Sequence, residues 1–296
     1  MRKLRTVAEL REALRHTPRP VGLVPTMGAF HGGHLSLIHR ARAECATVVV
    51  SLFVNPAQFG EHEDFDAYPR DLERDARLAE QEGVDVLFAP PIEEVYPPGH
   101  RTFVVMDGLT TTLEGDPAHR GPAHFRGVMT VVTKLLNMVQ PDRAYFGQKD
   151  AQQLLVIRKL VRDLDIPVEV VECATVRDPD GLALSSRNVY LSPQERERAL
   201  ALSRAMRAAE GAIRMGERDA ARVLAAARAE LDAAQVEPEY LELRSSDDLS
   251  PVERVNGSTL LAVAARIGNA RLIDNTTLGE PMNPTLDLRP PTSDPR

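Results

Sequence analysis

His31 and His34 stand three residues apart in the segment FHGGH, with Gly32 and Gly33 between them and Gly28 just before. Three residues of helix bring two imidazoles to one face, where both can donate hydrogen bonds to the same polyphosphate. Glycines let the backbone approach a ligand closely. A helix opening adds unpaired N–H groups that attract anions. The segment therefore reads as an anion cradle, although the same spacing taken alone also fits a surface pair or a fragment of a metal site. Three further groups have side chains suited to the same kind of ligand. Gln148, Lys149, Asp150 and Gln153 cluster in FGQKDAQQ, and Lys149 is one of few lysines in a chain with 36 Lys plus Arg. Ser185, Ser186 and Arg187 follow an Asp-Gly turn, offering hydroxyl donors and a fixed cation to phosphate oxygens, or forming a plain interdomain linker. Asn55 and Gln58 in NPAQFG supply neutral amides for a hydroxyl, carboxylate or amine, while Asn-Pro serves equally as a strand-breaking turn.

Each group sits where a strand hands over to a helix. Val21, Leu23 and Val24 form a short apolar run that Pro25 ends, and Leu35, Leu37 and Ile38 resume at helical spacing over 33–45. The near-continuous apolar run at 47–54 suits a parallel strand covered on both faces, and Asn55 and Gln58 lie just past its C-terminal end. Open α/β sheets place ligands at that end of their strands. Further strands are expected at 84–90, 102–106, 143–147 and 168–176, with helices after residue 124 and after Gln148. The segment from Glu61 to Gly83 reads as an acidic loop feeding a solvated helix, and 91–100 is too proline-rich for regular structure. Thr6 caps a first helix with Val7, Leu10 and Leu14 on one side, and Ser192 with Glu195 opens the first of two Ala/Arg/Glu-rich helices at about 192–214 and 217–234. Strands at 240–244, 260–267 and 270–275 follow, the last two joined by a Gly268-Asn269 hairpin turn.

Composition narrows the function. With 296 residues, 43% of them hydrophobic, the chain has material for two domains. A net charge of −7 argues against a general nucleic-acid binder, because phosphate backbones need a basic field. No apolar run approaches a membrane span and the N-terminus lacks the apolar core of a secretion signal, so a cytoplasmic protein is expected. Cys45 and Cys173 are far apart among apolar neighbours, which fits buried free thiols rather than a disulfide or a zinc site.

Taken in order, PTMGAFHGGH (25–34), NPAQFG (55–60), DAYPRDLERD (66–75), HFRGVMTVVTKLLN (124–137), AYFGQKDAQQ (144–153) and LSSRNVYL (184–191) resemble the pantothenate synthetase (pantoate–β-alanine ligase) family. The resemblance runs to about residue 278. It implies an ATP-dependent ligase that joins pantoate to β-alanine through a pantoyl adenylate, releasing pyrophosphate and then AMP. It also implies a Rossmann-like doubly wound α/β catalytic domain over 1–176 and a smaller C-terminal α+β lid domain over 177–279, and 280–296 reads as a disordered tail. Carried over residue by residue, the ATP contacts fall on Met27, Gly28, Ala29, Phe30, His31, Gly32, Gly33 and His34, on Gly147, Gln148, Lys149 and Asp150, on Val176, and on Leu184, Ser185, Ser186 and Arg187. His34 matches the family's proton donor, and His31, Lys149 and Arg187 join it as catalytic candidates. Gln58 matches a contact to pantoate and β-alanine, and Gln153 one to pantoate. Mg²⁺ is expected with the ATP, through ligands left unassigned, and the chain is expected to form a homodimer.

The chain departs from the family pattern at Gly32, often Glu there, at Gln148 for Glu, and at Leu184 for Met. Its loop from Glu114 to His124 is a few residues longer, which leaves Arg120 or another residue to replace the family's loop arginine. Two other functions fit parts of the pattern: another HxGH nucleotidylyltransferase, and a noncatalytic nucleotide-binding regulator. A nucleotide acceptor would need a stacking surface, yet aromatics are 4% and Trp is absent. A regulator needs affinity for ATP but not donors aimed at a reacting phosphate.

Overall fold

The computed structural model describes residues 1–60 and 65–279, so the expected tail from Glu280 and the first four residues of the expected acidic loop lie outside the described residues. A parallel six-stranded sheet takes the order β1-β4-β3-β2-β5-β6, built from β1 (Arg2–Leu4), β2 (Val21–Thr26), β3 (Thr47–Leu52), β4 (Val86–Phe88), β5 (Arg143–Gly147) and β6 (Glu169–Cys173). Chain order reverses between β2 and β5, and such a switch point opens a crevice at the carboxyl ends of the strands. Helices α1 (Val7–Leu14), α2 (Gly32–Glu44), α3 (Leu72–Gln81), α5 (Pro122–Val139) and α6 (Ala151–Asp163) accompany the sheet, with a one-turn helix α4 at Ile92–Val95. Both faces are therefore apolar: Leu23 and Val49 belong to one core, Val24, Val48 and Val50 to another.

The C-terminal part pairs helices α7 (Pro193–Arg214) and α8 (Ala220–Ala233) with an antiparallel sheet of β7 (Pro238–Ser245), β8 (Thr259–Ile267) and β9 (Ala270–Leu278). Alternation along β8 divides its side chains between two cores. Leu260, Ala262 and Ala264 pack into the first core with α5, whereas Leu261, Val263 and Ala265 pack against α7 and α8. The expected Thr6 cap and the Ser192–Glu195 capping box both form, and Glu9, not singled out in the sequence, completes a capping box at Thr6 as well. Cys45 and Cys173 are buried free thiols.

Four local expectations change. Pro25 does not stop the strand: β2 continues to Thr26, with Pro25 opposite Ser51 of β3. Its ladder to β5 ends earlier, at Leu23 opposite Ala144, so the residue without an N–H sits where β2 is paired on one side alone. The 102–106 segment joins no ladder; instead Val104 N–H donates to Thr130 Oγ1, 3.0 Å away. Conversely, α4 forms within the proline-rich stretch, after Pro91 at its N-cap, a place where proline's missing N–H costs nothing. Three residues at the N-terminus that carried no strand pattern form β1 by pairing with β4. Among the described residues no helix is long and apolar enough to cross a membrane.

Helix α5 reaches the turn after β3 through a glycine. A Cβ at Gly127 would stand 2.2 Å from the Ala57 carbonyl oxygen, so only hydrogen lets the two backbones meet. Gly127→Ala should cost at least the roughly 1–3 kcal/mol of an overpacked core, read as a lower urea midpoint. Gly257→Ala, whose added Cβ has nothing within 4 Å, is the control and should shift the midpoint little.

Candidate active site

The turn between β2 and α2 is shaped before any ligand is considered. Thr26 Oγ1 donates to the Ser51 carbonyl at 2.8 Å and accepts the Gly28 N–H, and Gly28 and Ala29 follow with φ of +89° and +52°. A glycine takes that conformation readily; Ala29 needs support. The support comes from Asp75 of α3, 1% exposed, whose carboxylate oxygens accept the N–H groups of Ala29 at 2.7 Å and Phe30 at 2.8 Å. Burial pushes the Asp75 carboxyl up from the ordinary range, against the two N–H donors that favour the anion.

His31 then caps α2 with its own ring. Its Nδ1 accepts the Gly33 N–H at 3.1 Å, and His34 Nδ1 accepts the His31 N–H at 3.4 Å. A nitrogen that accepts carries no proton, so each imidazole is neutral with its hydrogen on Nε2. The backbone donors expected to meet an anion are thus partly consumed, and the Nε2–H groups are the donors left to present. Gly33 has to be glycine for this, because a Cβ there would lie 2.8 Å from His31 Cε1. Burial, and then the positive charge of Lys149, depress His31 to about 4; burial, His31 and Lys149 depress His34 to about 3. Both rings are uncharged at neutral pH.

A cavity of about 270 Å³ opens at the switch point. It gathers Met27, His31, Gly33, His34, Gln58, Gly147, Lys149, Asp150, Gln153, Val176, Leu184, Ser185, Ser186 and Arg187 from separate parts of the sequence. The other expected contacts lie behind its wall. Gly28, Ala29 and the buried Phe30 build the turn, a Cβ at Gly32 would meet Leu184 Cδ1 at 2.9 Å, and Gln148 turns its amide toward Thr277 Oγ1 at 3.4 Å. Two positions where the chain departs from the family pattern, Gly32 and Leu184, are thus neighbours, the small residue leaving room for the branched one.

Gln58 is held on three sides. Its Oε1 accepts from Asn55 Nδ2 at 3.0 Å, its Nε2 donates to Met27 Sδ at 3.1 Å, and its backbone carbonyl accepts from His124 Nδ1 at 2.9 Å. An amide nitrogen carries two hydrogens, so Gln58 retains one for a ligand. Asn55, 1% exposed, spends its amide on Gln58 and the Gly127 carbonyl and accepts from Tyr96 Oη at 2.8 Å; it positions Gln58. His124, 7% exposed, accepts through Nε2 from Arg120 Nη1 at 3.1 Å. Burial first, then Arg120, depress it to about 3. Arg120 lines the same cavity, as do Glu114 and His124 of the 114–124 loop.

Sequence reading missed several of these supports. Asp75 sits in a stretch that reads as a solvated helix, and His124 lies in a quoted motif without a distinguishing partner. Glu114 is buried across from the C-terminal sheet, where Arg271 donates twice, at 2.7 and 2.8 Å, and Tyr240 Oη once at 2.7 Å. Burial would raise the Glu114 carboxyl; the Arg271 guanidinium and Tyr240 hydroxyl outweigh it and hold it below its usual value. Gln152 is 5% exposed and fixes the same loop, accepting the Glu114 N–H and donating to the Leu109 and Thr112 carbonyls.

Among the described residues no group of three or more His, Cys, Asp and Glu could enclose a metal ion. An all-protein cage for magnesium does not fit. A magnesium ion that arrives on phosphate and keeps several waters does fit, since it needs one or two carboxylates, and Asp150 is a carboxylate on the cavity wall beside Lys149.

A doubly wound parallel sheet whose switch point holds an HxGH helix opening, a lysine turn and a Ser-Ser-Arg loop defines a nucleotide-dependent α/β enzyme. The sequence profile described as pantoate-beta-alanine ligase matches residues 2–277. Pantothenate synthetase of Thermotoga neapolitana is 52% identical over 283 residues, covering 94% of this chain and 100% of the relative. The crystal structure of pantothenate synthetase from Thermus thermophilus superposes with a TM-score of 0.89 at 51% identity, covering 93% of this chain and 99% of that one. Pantoate-beta-alanine ligase from Francisella tularensis, solved with beta-gamma ATP and beta-alanine, gives a TM-score of 0.77 at 32% identity, covering 94% and 97%. The chain belongs to the pantoate–β-alanine ligase family, and it is a ligase that forms an amide bond with ATP.

The three depressed histidines link stability to pH. Each is neutral in the folded chain but titrates at 6.5 when unfolded, so the unfolded state takes up protons first as pH falls. Stability should be intact above pH 6.5 and decline from there towards pH 3–4. His34 and His124 should each remove about 1–2 kcal/mol between pH 7 and 5. Urea unfolding across that range measures the slope, and His124→Gln should flatten part of it. A stability that is level from pH 7 to 5 contradicts the neutral assignments.

Proposed function

We propose that the chain condenses (R)-pantoate with β-alanine to pantothenate in two steps at this cavity, using ATP. In the first, a pantoate carboxylate oxygen attacks the α-phosphorus, the bond to the bridging oxygen breaks, and pyrophosphate leaves. In the second, the β-alanine amine, having given up one proton to solvent, attacks the acyl carbon; the bond from that carbon to the phosphate oxygen breaks, AMP departs with the bonding pair, and the new amide nitrogen loses its second proton to solvent. The observation that carries this reading is the convergence of two neutral Nε2–H imidazoles, Lys149 and Arg187 with the amides of Gln58 and Gln153 in one cavity.

Charge grows on the nonbridging and leaving oxygens as the carboxylate approaches phosphorus, and prepositioned donors stabilise it. His34, His31, Lys149 and Arg187 take that role, with Ser185 and Ser186 donating to phosphate. A neutral imidazole donates a hydrogen bond without competing for the cation that balances the phosphates. Gln58 and Gln153 hold pantoate, and Gln58 also meets β-alanine. Mg²⁺ supplies neutralising charge to the triphosphate, and Asp150 is the residue suited to reach it. Residues 1–176 carry the nucleotide and pantoate, and 177–279 close the site from the C-terminal side. Membership of the family supports a homodimer acting in the cytoplasm.

The alternative of adenylyl transfer to another acceptor is disfavoured by the two glutamines, which suit a small polar acid. Labelled pyrophosphate should exchange into ATP when pantoate and Mg²⁺ are present and β-alanine is absent. Exchange that requires β-alanine removes the free adenylate.

Substitutions separate the roles. His34→Ala and Lys149→Ala should each lose about 10²- to 10³-fold in single-turnover adenylate formation at saturating ATP and pantoate. Gln58→Ala and Gln153→Ala should instead weaken pantoate use far more than ATP binding, since an unpaired polar group costs roughly 1–3 kcal/mol. An unmodified rate in a folded His34 or Lys149 variant would demote that turn to a binding element.

A further inference from the structure

We propose that the adjacent β9 residues Asp274 and Asn275 are positioning residues for ATP, acting through the Lys149 turn and the Ser185–Arg187 loop. Both fall in the 270–275 strand expected from the sequence, which carries no expected ligand contact. Asn275, 6% exposed, donates through Nδ2 to the backbone carbonyls of Gln148 at 3.0 Å and Lys149 at 2.7 Å. Asp274, 3% exposed, accepts a two-pronged contact from Arg177, at 2.6 and 2.8 Å. Successive strand residues point to opposite faces, so one dipeptide reaches two loops at once.

What each contact fixes is specific. Lys149 gives up its carbonyl to Asn275 while its side chain lines the cavity, so the tether sets the backbone from which the ammonium projects. Arg177 bridges to Ala183, and the Leu184 N–H donates to the Val176 carbonyl at 3.0 Å, so the contact to Asp274 anchors the base of the hairpin that delivers Ser185, Ser186 and Arg187. Asn275 accepts a cost for this: its Oδ1 is buried with no hydrogen-bond partner among the described residues. An apolar residue would leave no such orphan, and the amide is explained by its two donated hydrogen bonds. Thr277 adds a weaker contact two residues on, accepting from Gln148 Nε2 at 3.4 Å.

The role assigned to Lys149 and Arg187 rests on the reading above; the tether itself does not. In ligand-free protein, Asn275→Ala should speed amide hydrogen exchange at 147–150 by about 10-fold and leave β2 and β3 unchanged, because two donors to that turn are gone. In turnover the same variant should raise KM for ATP by about 10-fold with KM for pantoate unaltered, since a displaced donor is felt by the group it serves. Asn275→Asp keeps the shape and removes both donors, so it should follow the alanine variant. Wild-type exchange and KM for ATP in the Asp variant would overturn the proposal, as would an equal rise in both KM values, which marks general loosening. If the Asn275 variants do not fold, Arg177→Lys keeps the charge opposite Asp274 but loses the two-pronged geometry; exchange at 184–187 should then quicken with a selective rise in KM for ATP, and no change refutes the proposal. Faster exchange in a protein whose unmodified form does not turn over ATP would leave the tether in place and sink the functional reading instead.

Discussion

His31 closes the first turn of α2 with its Nδ1, and His34 returns the same service to the His31 N–H. That mutual cap decides which atoms the site has to offer. With both Nδ1 atoms accepting, the remaining hydrogens sit on Nε2, and a proton added to either ring would set N–H against N–H. The low pKa values of both rings and the geometry therefore say the same thing by different routes. The cap also propagates backwards. It requires Gly33 to lack a Cβ, and the turn that leads into it runs through the left-handed Ala29, which leans on the Asp75 carboxylate.

Carboxylates are the recurring means of holding a loop here. Asp75, Glu114 and Asp274 are all nearly removed from solvent, and each accepts at least two donors from a different segment: the α2 turn, Arg271 with Tyr240, and Arg177. A buried carboxylate is costly unless such donors meet it, and removing a partner leaves the remainder uncompensated. The arrangement adds little net stability for that reason. It does give each loop one preferred geometry, and positioning within a fraction of an ångström is what donors to a reacting phosphate need.

The parts legible in the sequence were those whose cause is local. Thr6 and the Ser192–Glu195 pair announce their helices locally, and the 47–54 run announces a covered strand by composition. The strand, turn and helix containing His31 and His34 could be placed for the same reason. Asp75, Asn275 and Arg271 could not, because each acts on a residue 45 to 157 positions away and none differs locally from a solvated helix or strand residue. Local rules also misled where the sheet decided otherwise. Pro25 sits in a strand because β2 parts from β5 after Leu23, and the apolar 102–106 segment has no ladder because Val104 spends its N–H on Thr130.

The C-terminal sheet bears on how the site closes. Were it a rigid lid hinged over the cavity, opening would have to part Leu260, Ala262 and Ala264 of β8 from the core they share with α5. It would also have to break the two-pronged Arg271–Glu114 contact and the Tyr240 hydroxyl bond. Parting that packed apolar surface together with three charge-assisted hydrogen bonds is unfavourable. Movement that admits ATP and pantoate is cheaper beyond such anchors than at them. The 184–187 segment lies past the Arg177–Asp274 contact, where the chain continues as a short 3₁₀ turn capped by Ser185. That loop is thus held beside a sheet tied to the rest of the chain through β8, Glu114 and Asp274.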